Sequence, residues 1–265
     1  MSTGAPPAKD DRLTLIATSV LACVLQDILH EGLGHAVTAW LSGAHHVTIS
    51  TVAMQSDIDT RWISASGTLV NLAFAGVFWL LLRNRTRYGP ALRYFLVLAM
   101  TGNLFTGTGY FFFSGIANFG DWAAVIHDLQ PYWLWRAGLI TVGAASYYVS
   151  MLLVAAELRP FQVPEESGRR IRNLSWTPYF TDGILAGVAG VLNPAGLFYV
   201  IASALPSTLG ANAGLLTLPS IMRGQKIQSA ETVAPIPRSL PWIAIGAVVA
   251  LLFIVVLGRG ISWSR

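Results

Sequence analysis

Along this chain the apolar positions come in long blocks and the charged ones in clusters between them. Positions 62–82, 94–120, 137–156, 183–222 and 239–258 contain no Asp, Glu, Lys or Arg. Each block is long enough for a bilayer-spanning helix, which takes roughly 20 apolar residues, and the apolar run from Leu13 to Leu29 adds another. Inside hydrocarbon every backbone N–H and C=O must be satisfied within the chain, so such blocks predict helices. The expected fold is all-α and polytopic, with about six transmembrane helices in a single multi-pass domain over 13–265. A polar segment at 1–12, MSTGAPPAKDDR, is expected to be a disordered tail.

Two stretches depart from plain spans. Taken as one helix, Leu13 to Leu41 would be about 43 Å long at roughly 1.5 Å per residue, more than the hydrocarbon requires, so it crosses and continues or bends. After it, AHHVTISTVAMQSDIDTRWI alternates Val47, Ile49 and Val52 with turn residues around Asp57, the pattern of a short hairpin. Irregular backbone at that depth must be sheltered by protein or line a wet cavity.

Composition sharpens this picture. With 54% hydrophobic and 11% charged residues, against about 25% charged in an ordinary soluble domain, a water-soluble globule is excluded. The single cysteine, Cys23, rules out a disulfide framework. The net charge of +4 is no sign of a nucleic acid partner, because the basic residues sit between spans. Arg83, Arg85, Arg87 and Arg93 crowd one short loop, which marks it as cytoplasmic in a cell-membrane protein. Reading 183–205 as one span, followed by a surface or re-entrant helix broken by Pro206 and Pro219, places both termini and the 157–182 loop on that same cytoplasmic side. Crossing twice there would flip every later assignment.

Ionisable side chains within a span cost commonly about 3 kcal/mol each on insertion scales and so mark function by default. The first apolar run carries Asp27, His30, Glu31 and His35 in QDILHEGLGHAVTAW. Two imidazoles flanking a carboxylate suggest a metal site in which the Glu activates water. The usual spacing is i and i+4, about 40° apart on a helix, whereas residues five apart stand about 140° around. Gly32 and Gly34 lie between His30 and His35, and a π-bulge or local unwinding there restores a common face.

HEGLGHA at the end of the first span, the hairpin-like segment after it and GTLVN (Gly67 to Asn71) in the next span resemble the site-2 protease family of intramembrane zinc metalloproteases. That family's pattern is a His-Glu-x-x-His helix, a Gly-x-x-x-Asn helix and a distant Asp. The resemblance covers about residues 13–125, and its His/Glu element carries one extra residue here. It implies a Zn2+ cofactor bound by His30 and His35, Glu31 as general base and acid, and Asn71 as a polar group holding substrate backbone. For the third ligand the choice is Asp121, in SGIANFGDWAAV, a carboxylate at the outer end of the third span. His127, Asp128, Asp182, His45 and His46 stand as alternatives. Zinc held by two His and a carboxylate keeps a fourth position for water. Asn71, or Asn193 in VLNPAG, is a candidate donor to the oxyanion, and Asp27 a candidate acceptor orienting His30. The partners implied are membrane lipid and a membrane-embedded peptide or protein substrate.

Other readings of the same residues remain. Asp121 also suits a helix cap for WAAVI, and Gly67 with Asn71 a small-residue packing face with an interhelical amide. His30 and His35 form a His-x4-His box like those of membrane di-iron desaturases, but such enzymes resemble one another in needing more histidines than the five of this chain. A non-enzymatic transporter, channel or assembly scaffold would use the buried polar helix for packing or ion passage.

Overall fold

The computed structural model describes residues 9–162, 167–193, 201, 205–223 and 232–265. It is mostly helical, with a small three-stranded sheet following the first helix. Five helices among the described residues are long and apolar enough to cross a membrane: α1 (Arg12–Leu41), α2 (Arg61–Leu82), α3 (Pro90–Ala117), α5 (Tyr132–Phe161) and α8 (Leu240–Leu257). The chain therefore has the build of an integral multi-pass membrane protein. Shorter or more polar helices complete it: α4 (Asp121–Ile126), α6 (Ser167–Val191) and α7 (Gly214–Ile221).

Residues 1–8 of the expected tail lie outside the described residues, but Asp10 and Asp11 are built into the fold. Asp11 caps α1, its carboxylate accepting from the N–H of Thr14 at 2.9 Å. That bond holds the Asp11 carboxyl below the usual carboxylate range. Asp10 is gripped by Arg170 through two bonds of 2.9 and 3.0 Å and accepts the Ile236 N–H at 2.8 Å. Arg170 also donates to the carbonyls of Val233 and Ala234. One buried, bidentate ion pair thus ties the start of the chain, α6 and the approach to α8 together at the arginine-rich end.

The hairpin expected after the first span is present, and the C-terminus enlarges it. β1 (His46–Ile49) pairs antiparallel with β2 (Met54–Ser56), register Thr48 to Gln55, and on its other side with β3 (Ile261–Ser264), register Val47 to Trp263. The order is β2-β1-β3. Val47, Ala36, Ala39, Ala44 and Ile63 form the cluster under the sheet, with Trp40 and Trp263 packed against it. Asp57 closes the hairpin by accepting the N–H groups of His45 and His46, and those bonds, that of His46 foremost, hold its carboxyl below the ordinary range.

The run 183–222 differs in its bounds from the expected span, and its residues 194–200 and 202–204 lie outside the described residues. α6 begins well before Gly183, and the chain then returns beside it. Leu209 seats against Gly183, Asn212 against Asp182, Trp176 bonds the Leu216 carbonyl, and Gln162 bonds that of Met222. Small residues on α6 let this return strand of chain pack inside the bundle instead of lying on its surface. The next helix, α8, starts beside Thr14, which accepts the Ser239 N–H, and ends beside the hairpin, where Leu257 accepts from Thr51. Since β3 joins β1 and Arg265 bonds Trp40, the C-terminus sits at the hairpin end, a full length of α1 from Asp10. The start of α1 and the C-terminus thus lie at opposite ends of that helix. In a Cys23→Ser background, single cysteines at positions 88 and 264 are expected to label from opposite membrane faces with an impermeant maleimide; labelling from the same face would contradict this arrangement.

Candidate metal centre

The histidines meet because the helix that carries them is not α-helical there. Ile28–Ala36 is a nine-residue π segment within α1. Its i→i+5 hydrogen bonds stack residues five apart much as an α-helix stacks residues four apart, so the extra residue between His30 and His35 is absorbed by the backbone. Their Nε2 atoms stand 3.2 Å apart. The widened turn also presses against α2: a Cβ on Gly34 would lie 2.5 Å from the Gly67 Cα, and one on Gly67 would lie 2.5 Å from His35 Nε2. Two glycines facing each other are what let the backbones approach so closely.

The third member comes from the opposite side. α3 ends at Asn118, in the left-handed region at φ 53°, and Gly120 at φ 84° completes the reversal. That turn aims the first residue of α4, Asp121, back at the rings. Asp121 Oδ2 lies 3.2 Å from His30 Nε2 and 3.3 Å from His35 Nε2. His30, His35 and Asp121 form a group that could hold a metal ion. Gly120 occupies the N-cap of α4 and Asp121 is the first residue of the helix, so Asp121 does not stand at the cap position.

Protons on the rings are set by what lies behind them. His35 Nδ1 faces the Ile63 carbonyl at 2.6 Å, and a carbonyl only accepts, so Nδ1 carries the hydrogen. His30 Nδ1 faces Asn71 Oδ1 at 2.5 Å. The amide cannot be turned the other way, because Asn71 Nδ2 donates to the Gln26 carbonyl at 3.2 Å and to Asn103 Oδ1 at 2.7 Å, while Asn103 Nδ2 donates to the Ala99 carbonyl. A chain of bonds ending on backbone carbonyls thus fixes both neutral rings as Nδ1–H and leaves both Nε2 lone pairs facing the carboxylate. Asp121 Oδ2 is buried and has no hydrogen-bond partner. With both rings neutral the three acceptors converge with no hydrogen between them, an arrangement that a cation resolves.

Asn71 is fully buried with its donors engaged. It is the acceptor that orients His30, in place of Asp27, and it has no N–H to offer a substrate. Gly67 packs against Gly34 and His35, and the bond by which Asn71 orients His30 depends on Asn103 of the third helix. Because such partners commonly contribute 10- to 100-fold in metal affinity, Asn71→Leu is expected to weaken metal binding by about that factor in a chelator competition while helical content is kept.

Glu31 is buried, and its Oε2 has no hydrogen-bond partner. It lines a cleft of about 550 Å³ shared with His35, Asp121, Tyr110, Ile63, and Ala53 to Ser56 of the β2 edge. The Tyr110 ring covers His30 at 5.1 Å between centroids. The other sequence candidates lie elsewhere. His127 and Asp128 bond each other on the surface, with Arg61 near Asp128. His45 and His46 are exposed at the hairpin. Asp182 is buried against Asn212, and Asn193, just past α6, is not among the residues lining the cleft. Comparison with protein-family models, with curated proteins and with solved structures finds no match.

Proposed function

We propose that this protein is an intramembrane zinc metallopeptidase that hydrolyses peptide bonds of membrane-embedded substrates. One observation carries the reading: two ring nitrogens and a carboxylate oxygen, 3.2–3.3 Å apart, meet beside a buried, unpartnered glutamate. Ligands about 2.0–2.1 Å from a tetrahedral ion are separated from one another by about 3.3 Å, so the donor set fits zinc in both chemistry and spacing. Zinc held there would supply a Lewis acid that lowers the pKa of a water and polarises a carbonyl.

The chain's own groups supply the rest. Glu31 takes the proton of the attacking water and returns it to the leaving amine, which asks for a carboxylate with no competing hydrogen bond. Among the described residues no strand lies beside the outer edge of β2, which borders the cleft, so an extended substrate segment can add to the sheet there, its backbone paired by β2 and its scissile carbonyl turned toward the histidines. Asn71 and Asn103 hold the His30 ring and take no part in binding substrate. In the membrane, the end carrying Arg83, Arg87, Arg93, Arg159 and Arg170 faces the cytoplasm. The metal cleft, the sheet and the C-terminus then lie toward the opposite face, where a helical substrate is most readily unwound by water.

Elemental analysis of detergent-purified protein tests the centre. One zinc per chain is expected in the wild type and none in His30→Ala, His35→Ala or Asp121→Ala. A wild type without metal after reconstitution with zinc would remove the proposal's basis.

A further inference from the structure

A second polar cluster lies within the bundle, apart from the histidines and independent of the metallopeptidase reading. Cys23 and Ser19 of α1, Thr101 of α3, Asp182 of α6 and Asn212 before α7 line a small space together with Gln26. About 10 Å³ of it is open to the centre of a water-sized sphere, which is room for one water or one ion of similar size. The rest of the wall is apolar: Ala22, Leu98, Gly102, Pro178 and Leu215. Asp182 is 7%, Asn212 1% and Thr101 1% exposed.

The hydrogen bonds leave this space rich in acceptors. Asn212 Nδ2 points to Asp182 Oδ2 at 3.4 Å, which orients the amide and leaves Asn212 Oδ1 as its other end. Asn212 Oδ1 and Asp182 Oδ1 are both buried and have no hydrogen-bond partner. The Thr101 hydroxyl donates to the Val97 carbonyl and that of Ser19 to Leu15, so each turns lone pairs, not a proton, toward the space. Among the described residues no Lys or Arg lines the wall.

An isolated carboxylate in a membrane bundle calls for a compensating charge. A water would satisfy two orphaned oxygens and leave the charge; a proton on Asp182 Oδ1, shared with Asn212 Oδ1, would satisfy that pair and leave the lone pairs of Thr101 and Ser19 unanswered. A small monovalent cation answers all of it. A divalent ion does not suit the place, since Ca²⁺ asks for six to eight oxygens and Mg²⁺ keeps several waters, more than this volume admits. We infer that Asp182 Oδ1, Asn212 Oδ1 and the Thr101 hydroxyl form a buried sodium-binding site that joins α1, α3, α6 and the return segment.

The test is thermal stability of the detergent-purified, zinc-loaded protein at constant ionic strength, with sodium chloride exchanged for choline chloride. Sodium is expected to raise Tm saturably by several degrees, and Asp121→Ala, measured without zinc because its change lies in the histidine centre, should keep that rise. Asp182→Asn should abolish it. If Asp182→Asn does not fold, Asn212→Ala and Thr101→Val should each raise the half-saturating sodium concentration about tenfold. Equal Tm in sodium and choline would overturn the inference in favour of a buried water or a protonated Asp182. So would a sodium response that survives in Asp182→Asn or is unmoved in the two neutral variants.

Discussion

Gly67→Ala is expected to release the metal although it removes no donor. The added methyl would lie 2.5 Å from His35 Nε2 and 2.8 Å from His30 Cε1, inside the contact distance of either ring. Neither ring can swing aside cheaply. His35 is held by the Ile63 carbonyl and His30 by Asn71, and both anchors stand on α2, one turn before and one turn after Gly67 itself. The helices must then separate, or one ring must leave its anchor. Overpacking of this kind costs typically about 1–3 kcal/mol, which a membrane bundle of this size tolerates. The expected result is a helical protein of normal far-UV circular dichroism whose zinc content equals that of His35→Ala. Gly34→Ala should act alike, because its methyl would meet the Gly67 backbone at 2.5 Å. Full zinc in Gly67→Ala would mean that the rings do not sit against that helix.

The same crossing shows what a sequence discloses and what it hides. Spans are legible because hydrocarbon admits so few backbone conformations, and the pair of glycines between the histidines signals that the helix there can deform. The structure places a π segment at that point, longer than a single bulge, and brings Asp121 to the rings. Asn71 was harder to read, since its part depends on Asn103 and Gln26 occupying its donors, a fact of three helices rather than of one motif. Spacing alone points to Asp27 as the acceptor for His30, but His30 Nδ1 bonds Asn71 Oδ1 and the buried Asp27 Oδ2 has no hydrogen-bond partner. The last strand left almost no trace: Ile261 and Trp263 alternate with serines over four residues, too short a pattern to distinguish from a tail. Its pairing with β1 is what places the C-terminus at the hairpin end of α1.

Glu31→Gln is expected to separate binding from chemistry. The amide has the volume of the carboxylate but cannot take a proton from water, so removal of the general base should lower cleavage by about 10²- to 10⁴-fold. Zinc should stay at one per chain, because the proposed donors are His30, His35 and Asp121 and Glu31 only borders the cleft beside them. Stability provides a further sign. A buried carboxylate oxygen without a hydrogen bond is an unfavourable group, so Tm should hold or rise in the variant, the reverse of what loss of a structural residue does. The measurement pairs zinc content and Tm with mass-spectrometric detection of cleavage in a set of single-span peptides co-reconstituted in liposomes. Cleavage at the wild-type rate in Glu31→Gln would refute its role as base, and loss of zinc would make Glu31 part of the binding set. Retained zinc, raised Tm and absent cleavage together would identify Glu31 as a residue kept for reactivity at the expense of stability, as its lack of a partner implies.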